Sequence, residues 1–157
     1  MRSNDEHAKL LFQIEGTSPN EYDVESLWVI EVDGGYVIDN IPFYAMEVAH
    51  GDTVKARVDE DGALWFDGLV KASGHSTIRL WFAREEDVQP TRESLLALGL
   101  GTEVSDRSRL VAVDVPPEVR YETVKAVFDD GEAKGVFEYE EACLGFSANL
   151  GAEGGNP

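Results

Sequence analysis

The sequence has little of three things: cysteine, basic side chains and long apolar runs. Its single cysteine, Cys143, excludes an intrachain disulfide and a metal site built from cysteines. Its apolar runs are only a few residues long, far shorter than a bilayer span. The segment Met1–His7 is polar and charged, without the apolar core of a signal peptide. These absences predict a cytoplasmic protein that does not associate with membranes.

Basic residues are scarce, with 13 Lys+Arg against 31 Asp+Glu and a formal net charge of −18 over 157 residues. Such a charge repels phosphate backbones and anionic lipid headgroups, which disfavours direct nucleic-acid and membrane binding. The acids are spread evenly, because residues 1–83 carry 6 − 15 = −9 and residues 84–157 carry 7 − 16 = −9. A hydrophobic fraction of 43% excludes a disordered acidic tail.

The first 83 residues alternate apolar and polar side chains in short runs. Leu27–Asp33 and Thr53–Val58 show this period of two, and the turn residues Gly34 and Gly35 follow the first of these runs. Between such runs, Asn40–Ala45 has the composition of a buried connection. About six short strands separated by glycine turns predict a curled antiparallel sheet or a small barrel.

The second half carries helical patterns. Thr91 is the predicted N-cap of a leucine-bearing helix that stops near Gly99. A strand is predicted over Arg109–Val115. A second helix is then predicted to open at Pro116 and to end at Gly135.

From Thr77 the elements therefore run strand, helix, strand, strand, helix, strand, with the middle hairpin beginning near residues 102–105. This order is typical of ferredoxin-like units. We expect an α+β fold with a β-rich unit over 8–76, a ferredoxin-like βαββαβ unit with two helices over 77–146, and a disordered tail over 147–157.

Five motifs follow one another along the chain. They are Glu25-Ser26-Leu27-Trp28, Asp39-Asn40-Ile41-Pro42-Phe43, Gly51-Asp52, Ser73-Gly74-His75-Ser76-Thr77-Ile78-Arg79 and Tyr139-Glu140-Glu141-Ala142. On these motifs, residues 8–145 resemble a family of small acidic bacterial proteins catalogued as a domain of unknown function. The resemblance carries no established activity. It implies an association with toxins or other regulated partners, and hence an inhibitor or immunity role.

The densest acidic segment spans residues 129–141, with six acids and one lysine. The candidate partner-binding residues in it are Asp129, Asp130, Glu132, Glu138, Tyr139, Glu140 and Glu141. Acids interleaved with Phe128, Phe137 and Tyr139 are typical of a surface that docks a basic protein, because acids steer and aromatic rings anchor. A solvated helix end beside core aromatics explains the same pattern. A second acidic group surrounds Trp65 at a predicted hairpin tip: Asp59, Glu60, Asp61 and Asp67.

A second candidate site combines the few histidines with Arg79 and nearby acids. Its residues are Glu25, Asp39, His50, His75 and Arg79. His75, beside Ser76 and Thr77, is suited to binding an anion or orienting a nucleophile, or else it fastens a strand end. Arg79 is more simply a structural ion pair with Glu25 or Asp39. The sequence has no HExxH, His-x-His or GxSxG motif, so we expect no metal, no cofactor and no hydrolase elbow.

The pattern favours a non-enzymatic acidic protein that inhibits or regulates a basic partner such as a nuclease or another toxin. The alternative is a small enzyme or ligand-binding domain that uses the histidine, arginine and carboxylate site.

Overall fold

The computed structural model describes residues 7–15, 22–105 and 107–145. In this part of the chain, five strands form a closed barrel: β1 (His7–Glu15), β2 (Tyr22–Val32), β3 (Gly35–Ile38), β4 (Thr53–Val58) and β5 (Leu64–Lys71). Consecutive strands pair antiparallel, and a parallel pairing of β1 with β5 closes the barrel. Of the two expected forms, a curled antiparallel sheet or a small barrel, the structure has the barrel, and the pair of strands that closes it is parallel.

The period of two in the first half fills the barrel interior. Leu10 and Phe12 of β1, Leu27 and Val29 of β2 and Val54 of β4 are all buried, and they belong to one hydrophobic cluster. Alternate side chains of a strand point to opposite faces, so burying one set closes the barrel around it.

The rest of the described chain forms a four-stranded sheet with two helices. Its elements are β6 (Ser76–Phe82), a short 3-10 helix (Glu85–Asp87), α1 (Val88–Ala97), β7 (Gly101–Val104), β8 (Leu110–Val115), α2 (Tyr121–Ala133) and β9 (Phe137–Cys143). The sheet order is β7-β8-β6-β9, and every neighbouring pair is antiparallel. The predicted α+β class is confirmed.

Both helices begin at residues other than those predicted. Thr91 is not an N-cap, because α1 already begins at Val88 and Asp87 occupies the cap position. Pro116 does not open α2, because its carbonyl accepts the N–H of Val119 in a turn that precedes the helix. The end of α2 is as predicted: the helix stops at Ala133, and Gly135 has a φ of +75°.

The two faces of the four-stranded sheet pack against different parts of the molecule. Ile78, Leu80 and Phe82 of β6 share one buried cluster with Val124 and Phe128 of α2. The alternate residues of β6 face the β3–β4 connection instead. Thr77 Oγ1 donates to the carbonyl of Val48 at 3.4 Å, and Arg79 Nη1 donates to the carbonyl of Phe43 at 2.8 Å. The connection between β3 and β4 is thus held against the helix-free face of the sheet.

The predicted buried connection at Asn40–Ala45 forms part of this layer, with Ile41, Pro42 and Ala45 buried. The predicted tail, 147–157, lies outside the described residues. Neither helix in the described ranges combines the length and apolarity needed to cross a membrane.

Candidate functional site

Two carboxylates fix the β3–β4 connection through backbone N–H groups. Glu25 on β2 accepts the N–H groups of Phe43 at 2.7 Å, Tyr44 at 3.0 Å and Ala45 at 2.7 Å. A carboxylate that accepts three N–H groups orders the loop that surrounds it. Glu25, predicted as a ligand-site residue, therefore holds the loop instead.

Asp52 holds the other end of the same connection. Its side chain is buried and accepts the N–H of Ala49 at 3.0 Å and the N–H of Ser73 at 2.8 Å. The Ser73 hydroxyl lies 2.9 Å from the same carboxylate and 2.8 Å from the carbonyl oxygen of His50, and it accepts the N–H of His75 at 3.1 Å. These bonds bring His50 and His75 side by side from distant points of the chain.

We call His50, His75 and Asp114 the junction cluster, because they lie where the β3–β4 connection meets the sheet. Nδ1 of His75 lies 2.8 Å and 3.1 Å from the two carboxylate oxygens of Asp114. The rings of His50 and His75 meet edge to face, with centroids 5.2 Å apart. One ligand atom of each of the three residues lies within 4.8 Å of the other two.

Asp39 and His7 extend the junction cluster. Asp39 Oδ1 lies 3.6 Å from Nε2 of His50, and Asp39 Oδ2 lies 2.7 Å from Nε2 of His7. On the other side of His50, Nδ1 is buried and has no hydrogen-bond partner among the described residues. The His50 ring thus has one nitrogen facing a carboxylate and one buried nitrogen left unsatisfied.

Burial sets the electrostatics of this cluster. Desolvation raises the pKa of Asp114 above its ordinary value, and the hydrogen bond and charge of His75 oppose that rise without cancelling it. Desolvation also raises the pKa of Glu103 on β7, and the charges of His50 and Arg92 oppose it. Two carboxyl groups therefore lie near the histidines in surroundings that disfavour their charged forms.

The alternative site predicted from sequence is assembled in part. His50, His75 and Asp39 come together as expected, whereas Arg79 lies apart from them. The ion pair predicted for Arg79 exists, but its partner is Glu140 at 2.6 Å rather than Glu25 or Asp39. Asp114 was missed. Its sequence signal is a single acid in the otherwise apolar strand Leu110–Val115, every residue of which is buried.

The acidic segment 129–141 lies on α2 and β9, and most of its acids have partners within the chain. Asp130 pairs with Lys134 at 3.0 Å. Glu132 accepts the backbone N–H of Tyr139 at 3.2 Å. The remaining partners are Lys125 and Tyr139 for Asp129, Arg79 for Glu140 and Tyr121 for Glu141.

These contacts have the expected effects on titration. Hydrogen bonds from Tyr139 and Lys125 lower the pKa of Asp129, and the bond to Asp129 raises the pKa of Tyr139. Two of the three predicted aromatic anchors are not at the surface. Phe128 and Phe137 are buried in the core beneath the acids, because the helical period of α2 turns Phe128 inward and Phe137 lies on the core face of strand β9.

A surface groove of about 410 Å³ lies beside the acidic segment on the helix-free face of the sheet. Its lining residues are Tyr44, Arg79, Trp81, Leu110, Glu138, Tyr139 and Glu140. The Trp81 ring is 38% exposed, and the Arg109 guanidinium lies 6.0 Å from its centroid. We call this feature the acidic groove. Its exposed Trp81 offers a partner an aromatic contact, which the buried Phe128 and Phe137 do not.

The second acidic group organises its own turn. Asp59 accepts the indole N–H of Trp65 at 2.8 Å and the N–H groups of Ala63 and Asp61, and these bonds lower the pKa of its carboxyl.

Cys143 is partly buried, and burial raises the pKa of its thiol to about 11. Its thiolate is therefore scarce at neutral pH.

The described residues define an α+β protein with a closed barrel and a four-stranded antiparallel sheet, and the β3–β4 connection of the barrel meets that sheet at a polar junction. The chain belongs to the family described as Domain of unknown function (DUF4265), whose model matches residues 25–139. The expected resemblance to a family of unknown function is thereby confirmed.

A solved structure shares the fold. The crystal structure of a hypothetical protein from Neisseria gonorrhoeae is 28% identical, has a TM-score of 0.74, and is aligned over 89% of this chain and 96% of that chain. No curated protein matches the chain.

Proposed function

We propose that this protein is an acidic docking protein of the cytoplasm that inhibits or regulates one basic partner, such as a nuclease or another toxin. The observation that carries the proposal is the acidic groove, where exposed carboxylates of Glu138 and Glu140 stand beside the exposed ring of Trp81. A lysine or arginine side chain is attracted by carboxylates and packs on aromatic faces. The proposed mechanism is occlusion of a basic cleft.

The ion pairs within the acidic segment leave its acids open to exchange. Glu140 is 57% exposed although it pairs with Arg79, and Asp130 is 61% exposed although it pairs with Lys134. Pairs exposed on both sides, such as Asp130 with Lys134, contribute about 0–1 kcal/mol, so a partner's cation can replace the lysine at small cost. Arg79 is only 16% exposed, so its pair with Glu140 is exchanged less readily. The net charge of −18 already includes these pairs, and it steers a basic partner at long range.

The position of β9 also favours docking. It is an edge strand of the sheet and carries exposed acids at Glu138, Glu140 and Glu141. Charged side chains on an edge strand discourage pairing with arbitrary chains. Acids in particular leave that edge open to a segment of opposite charge.

The test uses two variants with the same change in net charge. Glu138→Gln with Glu140→Gln removes two charges at the acidic groove, and Glu60→Gln with Asp61→Asn removes two at the β4–β5 turn. The tagged protein is used to capture its partner from the cells that make it, and association with the purified partner is then followed at low and high salt.

We expect a basic partner, a salt-weakened complex in which that partner is inactive, and slower association for the groove variant than for the turn variant. Equal association rates in the two variants would remove the acidic groove from the proposal. A partner that is not basic would contradict the proposal as a whole.

A ligand-binding role at the junction cluster is the second candidate function, because His50, His75 and Asp114 converge there from three segments.

We also infer that residues 76–143 form a ferredoxin-like unit. Two observations support that assignment. The strands lie in the order β7-β8-β6-β9, and one helix follows β6 while the other follows β8 along the chain.

A further inference from the structure

The junction cluster has the composition of a transition-metal site. Two imidazole nitrogens and one carboxylate are donors that zinc and similar divalent ions prefer. The three donors come from the β3–β4 connection, the loop before β6 and strand β8, so only the folded chain brings them together. The three residues form no sequence motif, because they are far apart along the chain and only folding brings them together.

The distances suit a single ion. Ligands bound to zinc at about 2.0–2.1 Å lie no more than about 4.2 Å from one another. Nδ1 of His75 and the oxygens of Asp114 are separated by 2.8 Å and 3.1 Å, and the three candidate atoms all lie within 4.8 Å. The upper limit of 4.8 Å is therefore close to the largest separation that one ion allows.

The state of the His50 ring points to a ligand. Its Nδ1 is buried without a hydrogen-bond partner in the described part of the chain, and its Nε2 faces Asp39 at 3.6 Å. Metal-binding histidines carry a bound ion on one nitrogen and donate the other N–H to a carboxylate. Asp39, itself held by His7 at 2.7 Å, stands in the place of that carboxylate.

The surrounding charge favours a cation. Asp114 is only 12% exposed, and Asp39 approaches His50 from the barrel side. Glu103 on β7 is close enough to His50 for their charges to interact. A dication would compensate the charge of these carboxylates. A water molecule would complete a fourth position.

We propose that the junction cluster binds one divalent transition-metal ion through His50, His75 and Asp114, with Asp39 orienting the His50 ring. The site does not depend on partner binding at the acidic groove. It ties the β3–β4 connection to the sheet, so that metal binding stabilises the contact between the barrel and the sheet.

The test uses the full chain treated with EDTA and then titrated with ZnCl2 by calorimetry. We expect one Zn²⁺ per chain, a higher melting temperature with Zn²⁺, and at least a tenfold loss of affinity in His50→Gln. His50→Gln is the main variant, because the structure records no hydrogen bond to its Nδ1, and the variant is expected to fold like the parent chain.

Asp114→Asn is the second variant, and Asp130→Asn is its matched control on the acidic surface. We expect Asp114→Asn to weaken Zn²⁺ binding and Asp130→Asn to leave it unchanged. Co²⁺ absorption in the visible range, lost in His50→Gln and kept in Asp130→Asn, reports the ligand set independently. An absence of Zn²⁺ binding, or equal affinity in all variants, would overturn the proposal.

Discussion

The junction cluster and the acidic segment are both polar, but they are built in opposite ways. In the junction, buried and half-buried side chains from distant segments meet, as Asp114 on β8 meets His75 before β6. In the acidic segment the acids are exposed, and the aspartates on α2 pair with a lysine one helical turn away, as Asp130 does with Lys134. Burial makes the first kind of contact specific, and exposure makes the second kind easily exchanged. The two regions therefore suit a bound ion and a charged protein partner, respectively.

Removing Asp52 should have the largest effect on stability, because it organises the junction. Asp52→Ala leaves the N–H groups of Ala49 and Ser73 without their acceptor in a buried place. We expect the free energy of unfolding to fall by about 3 kcal/mol, since each buried unsatisfied group costs about 1–3 kcal/mol. Urea unfolding monitored by fluorescence measures it. A loss below 1 kcal/mol would show that the junction is not held by this carboxylate.

Substitutions on the face of α2 that packs on the core should change the free energy of unfolding more than substitutions on its exposed face. A Cβ on Gly131 would lie 2.2 Å from the Phe137 ring, which is buried in the core. Gly131→Ala should therefore lower the free energy of unfolding by about 1–3 kcal/mol, as overpacking does. In a helix without this contact, the same change would stabilise by about 1 kcal/mol. A stabilised variant would contradict the packing described for this helix.

The pH dependence of stability should distinguish the two kinds of carboxylate. Burial raises the pKa of folded Asp114, so its contribution is present at low pH and is lost as pH rises through the folded value. The lowered pKa of Asp129 acts in the opposite direction, because its contribution is lost as pH falls below the ordinary range.

Asp114→Asn should therefore flatten the dependence just above the ordinary aspartate range, and Asp129→Asn should change it only below that range. Urea unfolding between about pH 3 and pH 7, in the presence of EDTA, makes the comparison. If stability depends on pH in the same way in both variants, the predicted difference between the buried and the exposed carboxylate is wrong.

The smallest effect is expected at Asp130. Asp130→Ala breaks an exposed pair with Lys134, and such pairs between residues four apart in a helix contribute about 0.3–0.5 kcal/mol. The free energy of unfolding should change by no more than that, and the difference should shrink at high salt. A loss above 1 kcal/mol would mean that the acids of α2 hold the fold rather than remain open to a partner.

Local patterns predicted the fold well where neighbours along the chain decide it. The period of two in Thr53–Val58 gave strand β4, and Gly135 gave the end of α2. The predicted helix starts were wrong by four residues for α1 and five for α2, since turns at Asp87 and at Pro116–Val119 replaced the predicted caps.

The junction was only partly predictable. Residue type alone indicates His50, His75 and Asp39. The only local signal for Asp114 is a single acid in an apolar strand, and that signal does not say which residues the acid meets. The true partner of Arg79 was also hidden, because Glu140 reaches it across paired strands 61 residues later in the chain. Long-range pairing decides both positions, and neither spacing nor composition reports it.

The most direct test of the contrast between the two regions is a ZnCl2 titration followed by NMR of the histidine rings and the backbone amides. We expect saturable 1:1 shifts of the His50 and His75 rings, with the amides of β9 and α2 unchanged. Shifts confined to the amides of the acidic segment, with the rings of His50 and His75 unmoved, would contradict it.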